Sequence, residues 1–230
     1  NSPGIHLGHL IGINSATNAV VQENLIANNF GGGDSGQLEA IKVRGGSGNS
    51  IIGNQIINNT VKGIGLTSTS GNLIYNNNIS SNQAGINIIS SNNNIIYNNY
   101  FNNPINAQDN SINSWNITKT PGLNIIGGPF LGGNFWHDYI GNDTNNDGLG
   151  DTNLPYNSAG FILNGGDFLP LVEVQVLPQP VLCGSTINSS TVLINNLVNC
   201  PANGLTITAN NIVLDCQGHN VSGSGGDNGI

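Results

Sequence analysis

The sequence is poor in charge, and most of the charge that it carries is negative. Only 7% of its 230 residues are charged, and 4 Lys and Arg stand against 12 Asp and Glu, giving a formal net charge of −8. Nucleic acids and anionic membranes both bind through clustered Lys and Arg. No run of about 18 apolar residues is present either. The composition therefore argues against nucleic acid as a partner and against a membrane-spanning segment.

Methionine is absent, aromatic residues make up 6% of the chain, and there are three cysteines. So few aromatic residues give no clear aromatic platform for a carbohydrate-binding face. Asparagine, in contrast, supplies about one residue in five. An Asn-rich, Lys-poor chain with many Asn-X-Ser/Thr motifs is typical of secreted proteins, so we expect an extracellular or cell-surface location.

The first half of the chain contains an internal repeat. Matching segments begin at Asn49, Asn72 and Asn94, with spacings of 23 and 22 residues, and a weaker copy begins at Asn18. Within each copy, apolar residues alternate as in a strand with one buried face. A period of this length predicts an all-β parallel solenoid, in which each repeat forms one coil.

Stacking the copies on this period predicts four apolar columns that form the core, and it places asparagines in further columns at the coil corners. Stacked Asn amides can hydrogen-bond from coil to coil, and Asn tolerates turn conformations. The predicted apolar columns are Ile51, Ile74 and Ile96; Ile56, Ile79 and Phe101; Ile41, Ile64 and Ile86; and Val43, Leu66 and Ile88. The predicted Asn columns are Asn49, Asn72 and Asn94, and Asn54, Asn77 and Asn99.

The segment DTNNDGLGD resembles a calcium-binding loop in its spacing. Asp143, Asn145, Asp147 and Asp151 occupy loop positions 1, 3, 5 and 9, and the Leu149 carbonyl occupies position 7. Calcium requires several oxygen ligands on a sharply turned backbone, which this spacing supplies. The sequence therefore predicts a Ca²⁺ site. The alternative is an acidic, Gly-rich turn that is held by side-chain hydrogen bonds without metal.

The loop lies in a longer stretch, GGNFWHDYIGNDTNNDGLGDTNLPYN followed by GGDFLPLV, that resembles the carboxy-terminal segment of NosD-type proteins. The coils between Asn18 and Asn103 resemble the repeat of the same family. The segment CGSTINSSTVLINNLVNC, which begins at Cys183, is similar to the opening coils of secreted β-helix proteins. These resemblances imply a right-handed parallel β-helix, a fold that serves scaffolds, adhesins, lyases and epimerases alike.

The NosD family is associated with periplasmic copper delivery, so copper has to be weighed against calcium. Copper favours Met, Cys and His ligands. The chain has no Met, and its histidines are His6, His9, His137 and His219. Only His6 and His9 are close in sequence, and a spacing of three residues in a strand places them on opposite faces. We therefore expect calcium rather than copper.

The strand around residues 39–44 is where an active site is expected if the protein is an enzyme. Asp34, Glu39, Lys42 and Arg44 bring carboxylates and cations together. A polysaccharide lyase or epimerase needs a base beside a group that neutralises a uronate. The alternative is a solvated strand face with a loop insertion, and we favour this non-enzymatic interpretation over a lyase, an epimerase or a carbohydrate-binding protein.

Several asparagines are candidate glycosylation sites, because each begins an Asn-X-Ser/Thr motif. Asn142 is a sixth match, but it adjoins the acidic loop and is the weakest candidate. The candidates are Asn58, Asn78, Asn116, Asn188 and Asn220.

The order of the segments predicts four regions: β-helix coils at 1–120, a NosD-like closing module at 121–172, a linker at 173–180, and opening coils of a β-helix at 181–230. Cys183 and Cys200 are 17 residues apart, near the length of one short coil. Neighbouring coils bring such residues within reach of a disulfide bond, and this pair is the expected bond.

A closing module that precedes an opening module predicts assembly of copies in series. Gly229 and Ile230 end the sequence where a strand is expected to begin, and Pro3, Gly4 and Ile5 open it with strand-like residues. Bare solenoid ends expose core and unpaired backbone. We expect a structural surface or filament subunit whose partner is a further copy, in tandem or as a separate chain, with surface glycans as a further candidate partner. The alternatives are that the sequence is a fragment or that the opening module folds back on its own protomer.

Overall fold

The computed structural model describes residues 11–29, 39–173, 180–210 and 212–224. It divides into two compact units, Asn1–Val174 and Gln175–Ile230. Among the described residues, no helix has the length and apolar character needed to span a bilayer. The predicted assembly residues Pro3, Gly4, Ile5, Gly229 and Ile230 lie outside the described residues, as does Asp34.

The described part of unit 1 is built from short strands, with a 3₁₀ turn at Ser158–Gly160. Its strands are β1 (Ile11–Asn14), β2 (Val20–Gln22), β3 (Leu25–Ala27), β4 (Glu39–Arg44), β5 (Ser50–Ile52), β6 (Gln55–Ile57), β7 (Lys62–Thr67), β8 (Leu73–Tyr75), β9 (Asn78–Ser80), β10 (Ala84–Ile89), β11 (Ile95–Tyr97), β12 (Tyr100–Asn102), β13 (Ala107–Asp109), β14 (Thr120–Pro121), β15 (Phe130–Leu131) and β16 (Phe135–Trp136).

Three parallel sheets run along the axis of the described part of unit 1. The first four coils each contribute one strand to every sheet, and the last coil adds β13 to sheet 1 and β16 to sheet 3. Sheet 1 has the order β1-β4-β7-β10-β13, sheet 2 has β11-β8-β5-β2, and sheet 3 has β16-β12-β9-β6-β3. The register of sheet 1 places Ile41 beside Ile64 and Ile64 beside Ile86. The predicted all-β parallel β-helix is confirmed, including the period on which the coils stack. Parallel crossovers of this kind are right-handed in nearly all proteins.

The predicted apolar columns form the core of unit 1. All twelve side chains are buried, eleven of them with no exposed surface and Ile88 with 1%. Burying one aliphatic side chain fully on folding contributes about 1.5–3 kcal/mol to stability. These columns are therefore the main apolar contribution to the stability of unit 1.

Asparagine ladders connect the coils at their corners. The side-chain oxygen of Asn72 accepts hydrogen bonds from the backbone N–H and the side-chain amide of Asn49, both at 3.0 Å. Asn94 accepts from Asn72 in the same way, at 2.9 and 2.7 Å. Each ladder therefore satisfies buried backbone groups where the chain turns. A second ladder runs through Asn24, Asn54, Asn77, Asn99 and Asn134, and a third runs through Asn29, Asn59, Asn82 and Asn103.

Unit 2 is a two-coil β-helix in its described residues. β17 (Ser185–Ile187) pairs with β20 (Leu205–Ile207), β18 (Thr191–Val192) with β21 (Leu214–Asp215), and β19 (Leu197–Cys200) with β22 (Val221–Gly223), all in parallel. A disulfide joins Cys183 to Cys200 with a Cα–Cα distance of 5.3 Å. Cys216 is free and partly buried. The finer division of the chain at residues 120 and 172 stays a prediction.

Candidate functional site

The outer face of sheet 1 carries three of the four residues that the sequence predicts for possible catalysis, since Asp34 lies outside the described residues. Glu39 Oε2 lies 3.6 Å from Lys42 Nζ, and Arg44 is exposed at the end of the same strand. Glu39 folds over Gly65 on the next coil, where an added Cβ would lie 2.4 Å from the Glu39 Cγ. Glycine at 65 thus makes room for the carboxylate. The structure brings Glu39 and Lys42 together, and their role in a lyase or epimerase stays a prediction.

The acidic loop is held by hydrogen bonds from its own backbone. The Asp143 carboxylate accepts the N–H groups of Asp147 and Gly148 at 3.2 and 2.7 Å. Asn145 accepts the same Asp147 N–H at 3.0 Å. Asp147 accepts the Leu149 N–H at 2.9 Å. These oxygens stabilise the turn in the manner of the metal-free alternative.

Two further contacts engage the remaining acidic groups of the loop. Asp151 Oδ2 accepts the backbone N–H and the hydroxyl of Thr144 at 2.8 and 2.6 Å, and these bonds lower the pKa of the Asp151 carboxyl. Lys119 Nζ lies 2.5 Å from Asp147 Oδ2 and 4.1 Å from the centre of the Phe130 ring. Among the described residues, the Lys119 ammonium therefore places a positive charge against this loop.

The end of the coils is closed by a stack of aromatic rings over two buried carboxylates. Trp136 stacks on Phe101 and Tyr156, with ring centroids 4.5 and 4.4 Å away. Its indole N–H donates to Asp167 Oδ2 at 2.8 Å. Asp109 Oδ2 accepts the indole N–H of the neighbouring Trp115 in the same way, at 3.1 Å.

Burial dominates the electrostatics of these two carboxyls. Asp167 is fully buried, which raises its pKa to about 7 even though N–H donors from Asn134, Trp136 and Leu169 favour the charged form. Burial also raises the pKa of Asp109. Desolvation destabilises a charged carboxylate, and here it outweighs the hydrogen bonds.

A polar cluster lies at the surface beside this stack. The phenol of Tyr156 and the side-chain amide of Asn106 each donate to Asp138 Oδ1 at 2.8 Å. The Asn106 amide also lies 3.2 Å from His137 Nδ1. Burial and the bond to Asp138 raise the pKa of Tyr156, so its phenol acts as a donor rather than as a base. A histidine, a carboxylate and a phenol thus meet in this cluster.

A family model described as "Periplasmic copper-binding protein (NosD)" matches residues 7–141, which is more than half of the chain. The chain belongs to the NosD family. The family resemblance inferred from the repeat is confirmed, and the family's description places its members in the periplasm. Searches of curated proteins and of solved structures found no match for this NosD-family chain.

The expectation of calcium rather than copper is wrong as drawn, because the NosD family is described as copper-binding. That expectation rested on the scarcity of Met, Cys and His in this one chain, and the composition of one chain does not decide which metal a family binds. In the ranges that the structure describes, no group of three or more His, Cys, Asp and Glu side chains could hold a metal ion. His137 there has one carboxylate close by, Asp138 at 3.9 Å. The described side chains therefore do not fit a copper ion.

The predicted modification sites differ in how free their side chains are. Asn188 and Asn220 are exposed on unit 2. On unit 1, Asn58 donates its amide to Asn28 at 2.6 Å, Asn78 accepts a hydroxyl, and Asn116 accepts a backbone N–H. Glycosylation of these five asparagines stays a prediction, and the exposed ones among them are Asn58, Asn188 and Asn220.

Sequence reasoning missed the two tryptophan–carboxylate pairs and the outward aromatic stacks of this NosD-family protein. The Tyr75 and Tyr97 rings stack with centroids 5.3 Å apart, and those of Tyr100 and Phe135 stack at 4.6 Å. The period could have found the first pair, since Tyr75 and Tyr97 are 22 residues apart. The low overall aromatic fraction did not indicate these stacks, because a solenoid places residues that are far apart in sequence side by side in one column.

Proposed function

We propose that the chain is a non-enzymatic structural protein that acts outside the cytoplasm, in the periplasm or at the cell surface, and whose copies join head to tail by β-helix stacking. The structural element is a rod of coils with a filled interior. The joint is formed by unit 2 of one copy and unit 1 of the next.

One observation carries the proposal. Ile187 and Ile207 are register partners in neighbouring coils of unit 2. Ile187 is 5% exposed, whereas Ile207 is 55% exposed although it stands in the same inward-facing column. Among the described residues of unit 2, which end at residue 224, no further coil covers this core position. The two coils that the structure describes in unit 2 are also fewer than a solenoid normally needs for stability.

The backbone edges favour the same kind of partner. Within the described residues, β20, β21 and β22 each pair on one side only, with β17, β18 and β19. β1, β2 and β3 likewise pair only with β4, β5 and β6. Unpaired parallel edges accept strands of matching geometry. A heterologous contact of this type that does not close generates an open fibre.

The test compares two aliphatic positions of unit 2 that are equally exposed. Ile207, at 55%, faces inward, whereas Val198, at 56%, follows the buried Leu197 and faces outward. The full chain is examined by negative-stain electron microscopy and sedimentation. We expect thin fibres that dissociate into 23.8 kDa chains. Ile207→Asp should abolish the fibres, while Val198→Asp should leave them intact.

The proposal is contradicted if the unmodified chain sediments as a 23.8 kDa monomer at every concentration tested. It is also contradicted if both Asp variants affect assembly equally, because the joint would then not involve the inward column. Far-ultraviolet circular dichroism of each variant establishes that unit 2 is still folded.

A further inference from the structure

We infer that the outer face of sheet 2 is a binding site for neutral polysaccharide. This inference does not depend on head-to-tail assembly, because it concerns a lateral face of unit 1 rather than a strand edge. The face consists of the outward residues of four stacked strands. We call it the neutral face, and it comprises Val20, Gln22, Ser50, Ile52, Leu73, Tyr75, Ile95 and Tyr97.

Two columns build the neutral face. The strand register places Leu73 between Ser50 and Ile95, and it places Tyr75 between Ile52 and Tyr97. The first column is aliphatic except for Ser50 and is open to solvent, with Val20 56% and Ile95 41% exposed. The second column ends in the parallel tyrosine rings, whose planes differ by 6°. The result is a mainly aliphatic column beside a column that ends in two stacked tyrosines, and both run along the coil axis.

The chemistry of the neutral face fits a sugar chain. The apolar C–H surface of a sugar ring packs against aliphatic and aromatic side chains, and its hydroxyls need donors and acceptors at the edge. The Tyr75 and Tyr97 phenols and the Gln22 amide supply such groups. Burial and the neighbouring Tyr75 raise the pKa of Tyr97, so that phenol keeps its proton.

Charge decides which sugar chains fit. None of the eight residues is ionised at neutral pH, while the whole chain carries a net charge of −8. An anionic polysaccharide would be repelled by the protein as a whole and would find no cation on this face. A neutral polysaccharide meets neither obstacle, and the periodic columns suit a polymer with a repeating unit.

Size argues against a second copy of the protein as the partner. Four strands at about 4.8 Å spacing and two outward columns give a face on the order of 200 Å². A stable protein–protein interface buries about 800 Å² on each side. The neutral face is therefore too small for a stable dimer, but it is large enough for a few sugar units.

The experiment is affinity electrophoresis of the full chain in gels that contain dextran, mannan or amylose, with alginate as the anionic comparison. We expect retardation by at least one neutral polysaccharide and none by alginate. The Tyr75→Ala/Tyr97→Ala double variant should bind about tenfold more weakly. Tyr97→Phe, which keeps the ring, should bind more tightly than the double variant. Phe168→Ala is the control, because Phe168 is an aromatic residue that is 51% exposed outside the neutral face.

Three results would overturn the inference: no retardation by any of the neutral polysaccharides, equal retardation of the unmodified chain and the folded double variant, or stronger retardation by alginate. A concentration-dependent dimer in sedimentation that the double variant loses would instead assign the face to a second copy. Fluorescence of the buried Trp115 and Trp136 reports whether each variant is folded.

Discussion

Unit 1 and unit 2 are built from the same kind of coil, but they are stabilised by different means. Unit 1 has sheets of four and five stacked strands, a filled apolar interior and three ladders of hydrogen-bonded asparagines. The described part of unit 2 has two coils, a small buried cluster and a disulfide between Cys183 and Cys200. A solenoid thus becomes self-sufficient when its coils are numerous enough to cover one another, and a short one needs a covalent bond or a partner.

The largest expected effect is on the ladders that distinguish unit 1. Asn77 accepts the Asn54 backbone N–H at 2.9 Å and donates to the Ile51 carbonyl at 2.9 Å. Asn77→Ala removes these bonds and leaves buried groups without partners, at about 1–3 kcal/mol for each group. We expect a loss of about 5 kcal/mol in the free energy of unfolding of unit 1, measured by urea denaturation followed through tryptophan fluorescence.

Asn78→Ala is the matched control for this change. Asn78 is the same residue type one position along the chain, but its side chain faces outward and accepts a single bond, from Ser80. We expect its loss to cost less than about 1 kcal/mol. Similar losses for the two variants would show that the ladder adds nothing beyond ordinary surface hydrogen bonding.

The ladders also show how far the sequence predicts this fold. Two of the three follow from the spacing of asparagines such as Asn49 and Asn72, because a solenoid repeats in sequence what it stacks in space. The ladder through Asn59 and Asn82 is spaced just as regularly and was overlooked among the many other asparagines. The closing residues, in contrast, could not be predicted. Asp167 and Trp136 are 31 residues apart and belong to no repeat, so only tertiary packing brings them together.

The acidic loop shows the same limit of local spacing, and its metal-binding role stays a prediction. Its spacing of oxygens is that of a calcium site, but short Asp and Asn side chains hydrogen-bond nearby N–H groups equally well. Asp143 does so with Asp147 and Gly148, and Lys119 contacts the loop from 28 residues away. A local pattern cannot reveal a distant lysine, so ligand spacing alone does not distinguish a metal site from a turn.

A second prediction concerns the end of unit 1, where the aromatic rings pack over the buried carboxyl of Asp167. The pKa of Asp167 is raised to about 7 in the folded chain, from an ordinary value of 3.8. The folded state therefore holds a proton that the unfolded state has released between these values. The contribution of Asp167 to the free energy of unfolding of unit 1 should therefore be highest below pH 4. It should fall by up to about 4 kcal/mol as the pH rises to 7.

Urea denaturation at intervals between pH 4 and 8 measures this dependence. Asp167→Asn should flatten it, although not completely, because burial also raises the pKa of Asp109. Asp151→Asn is the control, since hydrogen bonds lower the pKa of Asp151 and its removal should leave the fall between pH 4 and 7 in place. An Asp167→Asn protein with the full pH dependence would show that this carboxyl is ionised when buried.

The smallest effect is expected in unit 2, where it tests the other side of the comparison. The Cys183–Cys200 bond closes a loop with a sequence separation of 17 residues. A loop of this length contributes about 3 kcal/mol by restricting the unfolded chain. Cys183→Ser should therefore unfold unit 2 selectively, so that hydrogen exchange becomes fast across residues 183–223 and stays slow in the coils of unit 1.

Cys216→Ser, which removes the free thiol, should leave both units protected. Equal protection of unit 2 with and without the disulfide would mean that two coils suffice, and the need for a covering coil at Ile207 would then lose its physical basis.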